Sequence, residues 1–261
     1  MQAPAITWVG HSTVLLELDG VRLLTDPVLG HRMLHLRRVS GAPDMSAVRD
    51  VDAMLVSHLH YDHLDVKSLR AVGRASRVII PVGAGGMLRS RGFAHVTELD
   101  VGEDTNVAGV RVAATRAEHG GRPLFRTRVR ALGYLVDGSL RVWFAGDTDL
   151  FDGMSNIASD LDLALLPVAG WGPRLPPGHL DPRRAAHALT LLRPRIAVPI
   201  HWGTYRRIGL TADESVLREP AESFARHAAE LAPDVDVRIL PVGGRLELSA
   251  AKRAPKEGVS S

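Results

Sequence analysis

Apolar residues along this chain come in short blocks broken by turn-forming residues, and the spacing within each block predicts the element it forms. Ile6 to Val9, Val14 to Leu18 and Val21 to Thr25 read as strands, and Asp19-Gly20 between the last two is a strong hairpin cue. The apolar run Ala53 to Val56 reads as a further strand. Beyond it the texture alternates: Val66 to Val72 helical, Val78 to Ile80 extended, Gly86 to Ser90 helical, Val96 to Leu99 extended. A second β-rich block covers Val110 to Thr115, Ala131 to Val136 and Leu140 to Ala145, with Asp137-Gly138 as a turn. A strand at Leu163 to Pro167, a helix from Pro182 to Leu192 and a strand at Ile196 to Ile200 follow. A helix from about Ala221 to Leu231 and strands near Val235 to Leu240 and Arg245 to Leu248 complete the pattern.

The order β-rich, mixed, β-rich, mixed predicts an α+β protein of two similar halves whose sheets pack face to face with helices outside. One domain over residues 1–249 is expected. Residues 250–261, rich in Lys, Ser, Gly and Pro, are expected to be a disordered tail.

The chemistry concentrates at Ser57 to Asp65, SHLHYDHLD, directly after the apolar run. Imidazole and carboxylate are ligands that suit zinc, manganese or iron, and a short turn aims several at one point. Alternate residues of extended backbone project the same way, so His58 and His60 would face one ion. Asp62 and His63, past the bend, would face a neighbouring position, which makes two metals the expectation. Further candidates end other strands: His119 in TRAEHGG, Asp147 in FAGDTD and His201 in PIHWGTY. Asp26, in LLTDP, is a candidate to orient a ligand imidazole from behind. Taken singly, each has a plainer use as a loop residue, a turn former or a core histidine; their joint recurrence favours metal.

Composition narrows this further. The 261 residues contain no cysteine, so disulfides and thiolate ligands are excluded and histidine with carboxylate must supply the strong donors. A net charge of +3 gives no argument for nucleic acid, and no nucleic-acid partner is expected. No apolar run approaches the roughly 18–20 residues of a membrane helix. No signal peptide is visible at the start, MQAPAITWVG, and a cytoplasmic location is expected. No oligomeric state follows.

The stretches GHSTVLLELDGVRLLTDP, SHLHYDHLD, FAGDTD, GHLDP and IHWGTY resemble the metallo-β-lactamase-fold hydrolases, from about Trp8 to Gly244. Within them the similarity is to the branch containing N-acylphosphatidylethanolamine-hydrolysing phospholipase D and ascorbate-6-phosphate lactonase. The resemblance implies a four-layer αββα sandwich with the site along one edge. It implies that His58, His60 and His119 hold one ion, that Asp62, His63 and His201 hold a second, and that Asp147 bridges them. Two divalent ions are then the cofactors, Zn2+ by expectation, with Mn2+ or Fe2+ as alternatives. The implied reaction is hydrolysis by hydroxide held between them, with Asp62 also steering the water.

A phosphodiester of a small or lipid-derived molecule is the leading substrate. A lactone or carboxylic ester is the alternative, and a nuclease or nucleic-acid-binding protein of the same fold a remote one. The chain is shorter than the animal phospholipase and lacks an evident membrane-docking addition. His179, in PPGHLDP, is a catalytic candidate for holding an oxyanion or protonating a leaving group, or else simply precedes the helix that Asp181 caps. Tyr205 is a weaker candidate for the same pocket, and His11 is expected behind the ligands. Leu29 to Pro43 and Trp171 to Pro177 are candidate walls. Arg122, Arg126, Arg128 and Arg130 read as a solvated strand face or a phosphate contact.

Overall fold

The computed structural model describes residues 3–120, 129–170, 175–209 and 213–249. In chain order its first elements are β1 (Ala5–Gly10), β2 (Thr13–Leu18), β3 (Val21–Thr25), β4 (Arg32–Met33), β5 (Leu36–Arg38), β6 (Ala53–Leu55), α1 (Val66–Val72), β7 (Arg77–Pro81), α2 (Gly85–Arg89) and β8 (Val96–Leu99). Then come β9 (Asp104–Val107), β10 (Val110–Arg116), β11 (Leu132–Asp137), β12 (Arg141–Phe144) and β13 (Leu163–Pro167). The last are α3 (Pro182–Leu192), β14 (Ile196–Ile200), β15 (Tyr205–Arg207), α4 (Glu214–Leu231), β16 (Asp236–Val237) and β17 (Arg245–Glu247).

Two seven-stranded mixed sheets carry the fold, in the orders β17-β1-β2-β3-β6-β7-β8 and β16-β14-β13-β12-β11-β10-β9. The Asp19-Gly20 turn joins β2 to β3 as the pattern requires, with both residues at positive φ, 55° and 84°. Side chains of the first sheet alternate between two cores. Leu16, Leu23, Leu55 and Ile79 face inward onto Val112, Tyr134, Phe144 and Leu165 of the second sheet. Their neighbours Leu15, Leu24, Met54 and Val78 face outward beneath Leu69 of α1 and Leu88 of α2. Both faces are therefore buried, which is why these strands read as apolar runs rather than as alternation.

On the far side, Ala185 and Leu189 of α3 and Phe224 and Ala228 of α4 cover the second sheet. The layers are thus helix, sheet, sheet, helix, the αββα sandwich. No helix of the described residues is long and apolar enough to cross a membrane.

Three expectations are corrected. α4 starts at Glu214, not near Ala221, and runs through Pro220. The proline removes one backbone donor, but Asp213 caps the start by accepting from Val216 N at 3.2 Å, and the buried face at Ala221, Phe224 and Ala228 holds the rest. The strand read at Val235 to Leu240 shrinks to two residues. The stretch Leu29 to Pro43, read as a candidate wall with no regular element, contains β4 and β5, which join β15 in a three-stranded sheet. Strands of two or three residues are too short to leave a periodicity. Residues 250–261, Trp171 and residues 122, 126 and 128 lie outside the described residues.

Candidate metal centre

β3 and β6 run parallel and end side by side, so the residues just beyond them, Asp26 and Ser57, meet. Asp26 is fully buried and accepts from Ser57 N (2.7 Å), Ser57 Oγ (2.6 Å) and His63 Nδ1 (2.6 Å). The loop then tightens, with His63 N and Leu64 N both donating to the His60 carbonyl, before Asp65 caps α1 by accepting from Lys67 N and Ser68 N.

These bonds fix tautomers. Ser57 gives its hydroxyl proton to Asp26, so His58 Nδ1–H is the donor in the 2.9 Å contact with Ser57 Oγ, and Nε2 is left as an inward lone pair. His63 Nδ1–H donates to Asp26 with the same result. His119 Nδ1–H donates to the Gly178 carbonyl at 2.7 Å. Each of these three imidazoles has its outer nitrogen held, the arrangement that orients metal ligands.

The inner nitrogens fall into two groups. His58 Nε2 and His119 Nε2 each lie 3.0 Å from His60 Nδ1. Three nitrogens around one zinc, with bonds of about 2.0–2.1 Å and tetrahedral angles, stand about 3.3 Å apart. In the second group His201 Nε2 lies 3.7 Å from Asp62 Oδ2 and 3.5 Å from Asp147 Oδ1. His63 Nε2 lies 3.2 Å from Asp147 Oδ2 and 3.9 Å from Asp62 Oδ2. Asp147, at the end of the FAGD segment after β12, stands between the groups, its Oδ2 also 3.5 Å from His179 Nε2.

The electrostatics suit cations. Burial, reinforced by neighbouring imidazoles, holds His58 well below the ordinary histidine range and brings His60 to about 4. Burial also lowers His119. For Asp147 the largest influence, burial, opposes ionisation, but His201 and His63 outweigh it and hold the carboxyl well below its usual range. Burial is likewise outweighed at Asp62, by His11 and His201. The carboxylates act back: burial would lower His63 and His201, but Asp147 and Asp26 raise His63 well above its ordinary value, and Asp147 with Asp62 raises His201. No Arg or Lys among the described residues forms an ion pair with Asp26 or Asp147. Positive charge at this point is thus what the buried carboxylates demand, and the donor set fits divalent metal.

Residues 21–202 match the family described as Beta-lactamase superfamily domain. The chain belongs to the beta-lactamase superfamily. This superfamily member is 32% identical over 251 residues to a UPF0173 metal-dependent hydrolase of Methanopyrus kandleri, covering 93% of this chain and 99% of that one. N-acyl-phosphatidylethanolamine-hydrolyzing phospholipase D 1 of Caenorhabditis elegans is 31% identical, over 76% of this chain and 64% of its own. Among solved structures, the metallo hydrolase Igni18 of Ignicoccus hospitalis superposes with a TM-score of 0.72 at 24% identity, covering 95% of this chain and 99% of that one, a likeness of fold. Family, relatives and fold together make this superfamily member a metallo-β-lactamase-fold metal-dependent hydrolase.

Within it, His58, His60, Asp62, His63, His119, Asp147 and His201 come together beyond the ends of β6, β10, β12 and β14, and Asp26 stands behind His63. His179 also reaches the centre: its ring is 4.7 Å from that of His119, and Nδ1–H donates to the Pro176 carbonyl, leaving Nε2 facing Asp147. Asp181 caps α3 as read, so the plainer reading of this segment holds. Tyr205 is brought close but turned away. Its hydroxyl donates to the Gly30 carbonyl at 2.7 Å, and its ring packs edge-on to His11 at 5.7 Å. His11, expected behind the ligands, lies beside His201 and Asp62. Its ring lies 4.0 Å from that of His201, and its Nε2 is 3.7 Å from Asp62. Its place between Gly10 and Ser12 in a strand-end turn was the available signal.

Proposed function

We propose that this superfamily member hydrolyses a phosphodiester bond in a small or lipid-derived molecule, with two divalent cations at the sites described. Zinc is the expected metal, and manganese or iron the alternative. The observation that carries the reading is the pair of donor groups meeting at Asp147, with His58, His60 and His119 on one side and Asp62, His63 and His201 on the other. The likeness to the phospholipase of Caenorhabditis elegans supports the phosphodiester class. When bound, such cations supply a nucleophile at neutral pH and neutralise charge developing on the substrate oxygens.

The chain's own residues perform the remaining tasks. Asp62, 3.7 Å from His201 Nε2 and held ionised, accepts a hydrogen bond from the attacking water and orients it. His179 is only partly exposed, and its Nδ1–H is already spent on Pro176, so Nε2 is the atom that donates to the departing oxygen when the ring is protonated. Tyr205 contributes by pinning the Leu29 to Pro43 segment through Gly30 and Val28. The Ser57–Asp26 pair keeps His58 and His63 in the required tautomers.

Parallel assays of bis(p-nitrophenyl) phosphate and a panel of lactones, before and after chelation and on adding back Zn2+, Mn2+ or Fe2+, test the reading. Metal-restored phosphodiester turnover is expected. Rapid lactone opening with no phosphodiester turnover overturns the substrate class, and chelator-insensitive activity overturns the metal mechanism.

A further inference from the structure

We infer that His11 is itself a ligand of the second cation, completing the set His11, Asp62, His63 and His201, an inference that rests on the metal sites proposed above. His11 Nε2 and His201 Nε2 lie at the same distance, 3.7 Å, from the same oxygen, Asp62 Oδ2. Both distances to Oδ2 exceed the roughly 3.2 Å of an ordinary hydrogen bond to that oxygen. They suit two ligands on one ion, because donors bound at about 2.0–2.2 Å in four- or five-fold coordination stand roughly 3.0–3.7 Å apart. The donor atoms of all four residues lie within 4.8 Å of one another, and all four residues are buried.

The backbone is built to deliver His11 there. The residue follows Gly10 (φ 124°) and itself adopts φ 54°, a left-handed conformation that non-glycine residues rarely take. Three hydrogen bonds hold it: His11 N donates to Thr204 Oγ1 at 2.7 Å, and its carbonyl accepts from His201 N at 3.0 Å and from Trp8 Nε1 at 2.8 Å. His201 is left-handed as well, at φ 65°. Two strained histidines, bonded backbone to backbone with rings 4.0 Å apart, are thus aimed together at Asp62.

The two positions then differ in kind. The first has three imidazoles and an open side, as catalytic zinc sites do, whereas the second is enclosed by four protein donors with Asp147 adjacent. The enclosed ion is the one retained, and the open one meets the substrate.

Elemental analysis and zinc titration of the full chain and of His11→Asn and His11→Gly, both tolerant of positive φ, test the assignment. Wild type is expected to hold two zinc ions per chain, and both variants to lose one or to bind it at least 10-fold more weakly. A wild-type protein that binds no zinc refutes the metal reading itself. Wild type and folded variants that all bind two ions with equal affinity refute only the role of His11. Should a variant not fold, proton NMR of the Co2+-loaded wild type decides through its metal-shifted imidazole N–H signals. Six signals place His11 with His58, His60, His63, His119 and His201, and five exclude it.

Discussion

Asp26→Asn is the sharpest perturbation of this site, because it keeps the shape of a buried side chain and changes only which atoms accept. In the native protein Oδ2 takes two protons, from Ser57 Oγ and His63 Nδ1, each at 2.6 Å, while Oδ1 takes a third from Ser57 N at 2.7 Å. Asparagine has one carbonyl oxygen. Placed at Oδ2, it leaves its NH2 facing the Ser57 N–H; reversed, it leaves the NH2 facing both His63 and Ser57 Oγ. Either way, bonds to a charged acceptor, worth about 1.5–3 kcal/mol each, are lost or made repulsive. The orientation of His63 loosens and Ser57 no longer fixes the tautomer of His58. Changes to such supporting contacts typically weaken metal binding about 10–100-fold. At 1.36 kcal/mol per decade this is about 1.4–2.7 kcal/mol. Competition against a chromophoric chelator, with circular dichroism to confirm the fold, measures it. An affinity within twofold of wild type for both ions would show that the Asp26 contacts do not tune the metal.

Other expectations follow from the same structure. Proton uptake and release should separate the two positions: His58 and His60 are held below the ordinary range and load metal without giving up protons near pH 7, whereas His63 and His201, held above it, must release theirs. Calorimetry in buffers of different ionisation enthalpy checks this, and equal proton release for both ions contradicts it. Leu165→Ala opens a cavity between the sheets, where Leu165 is fully buried, and should cost about 2–5 kcal/mol in urea unfolding; a loss under 1 kcal/mol counts against the shared core. Asp181→Ala removes the acceptor for Arg184 N and should cost about 0.5–2 kcal/mol without changing metal content. Chelation should lower the unfolding temperature, and restored metal should raise it in a concentration-dependent way.

Much of the site was legible because its chemistry is local. His58, His60, Asp62 and His63 occupy one loop after one buried strand, and a reader needs only the alternation of extended backbone to pair them. His119, Asp147 and His201 were found through their recurrence at strand ends. The approach of His11 to Asp62 and His201 was not legible because it depends on partners far along the chain, such as Thr204, 193 positions away, and on a left-handed backbone that no periodicity announces. The sheets followed from apolar runs that bury both faces. α4 was cut short because Pro220 normally ends a helix, and here packing of Ala221, Phe224 and Ala228 overrides that preference. The third sheet left no pattern, since each of its strands has at most three residues.

The hydrogen bond from His201 N to the His11 carbonyl ties the turn between β1 and β2 to the segment that follows β14. The chain must therefore extend past His201 before the proposed second position can form. A chain cut before His201 would carry His58 to His63 yet lack one wall of the proposed second position, so retention of a second ion would report that both halves have docked.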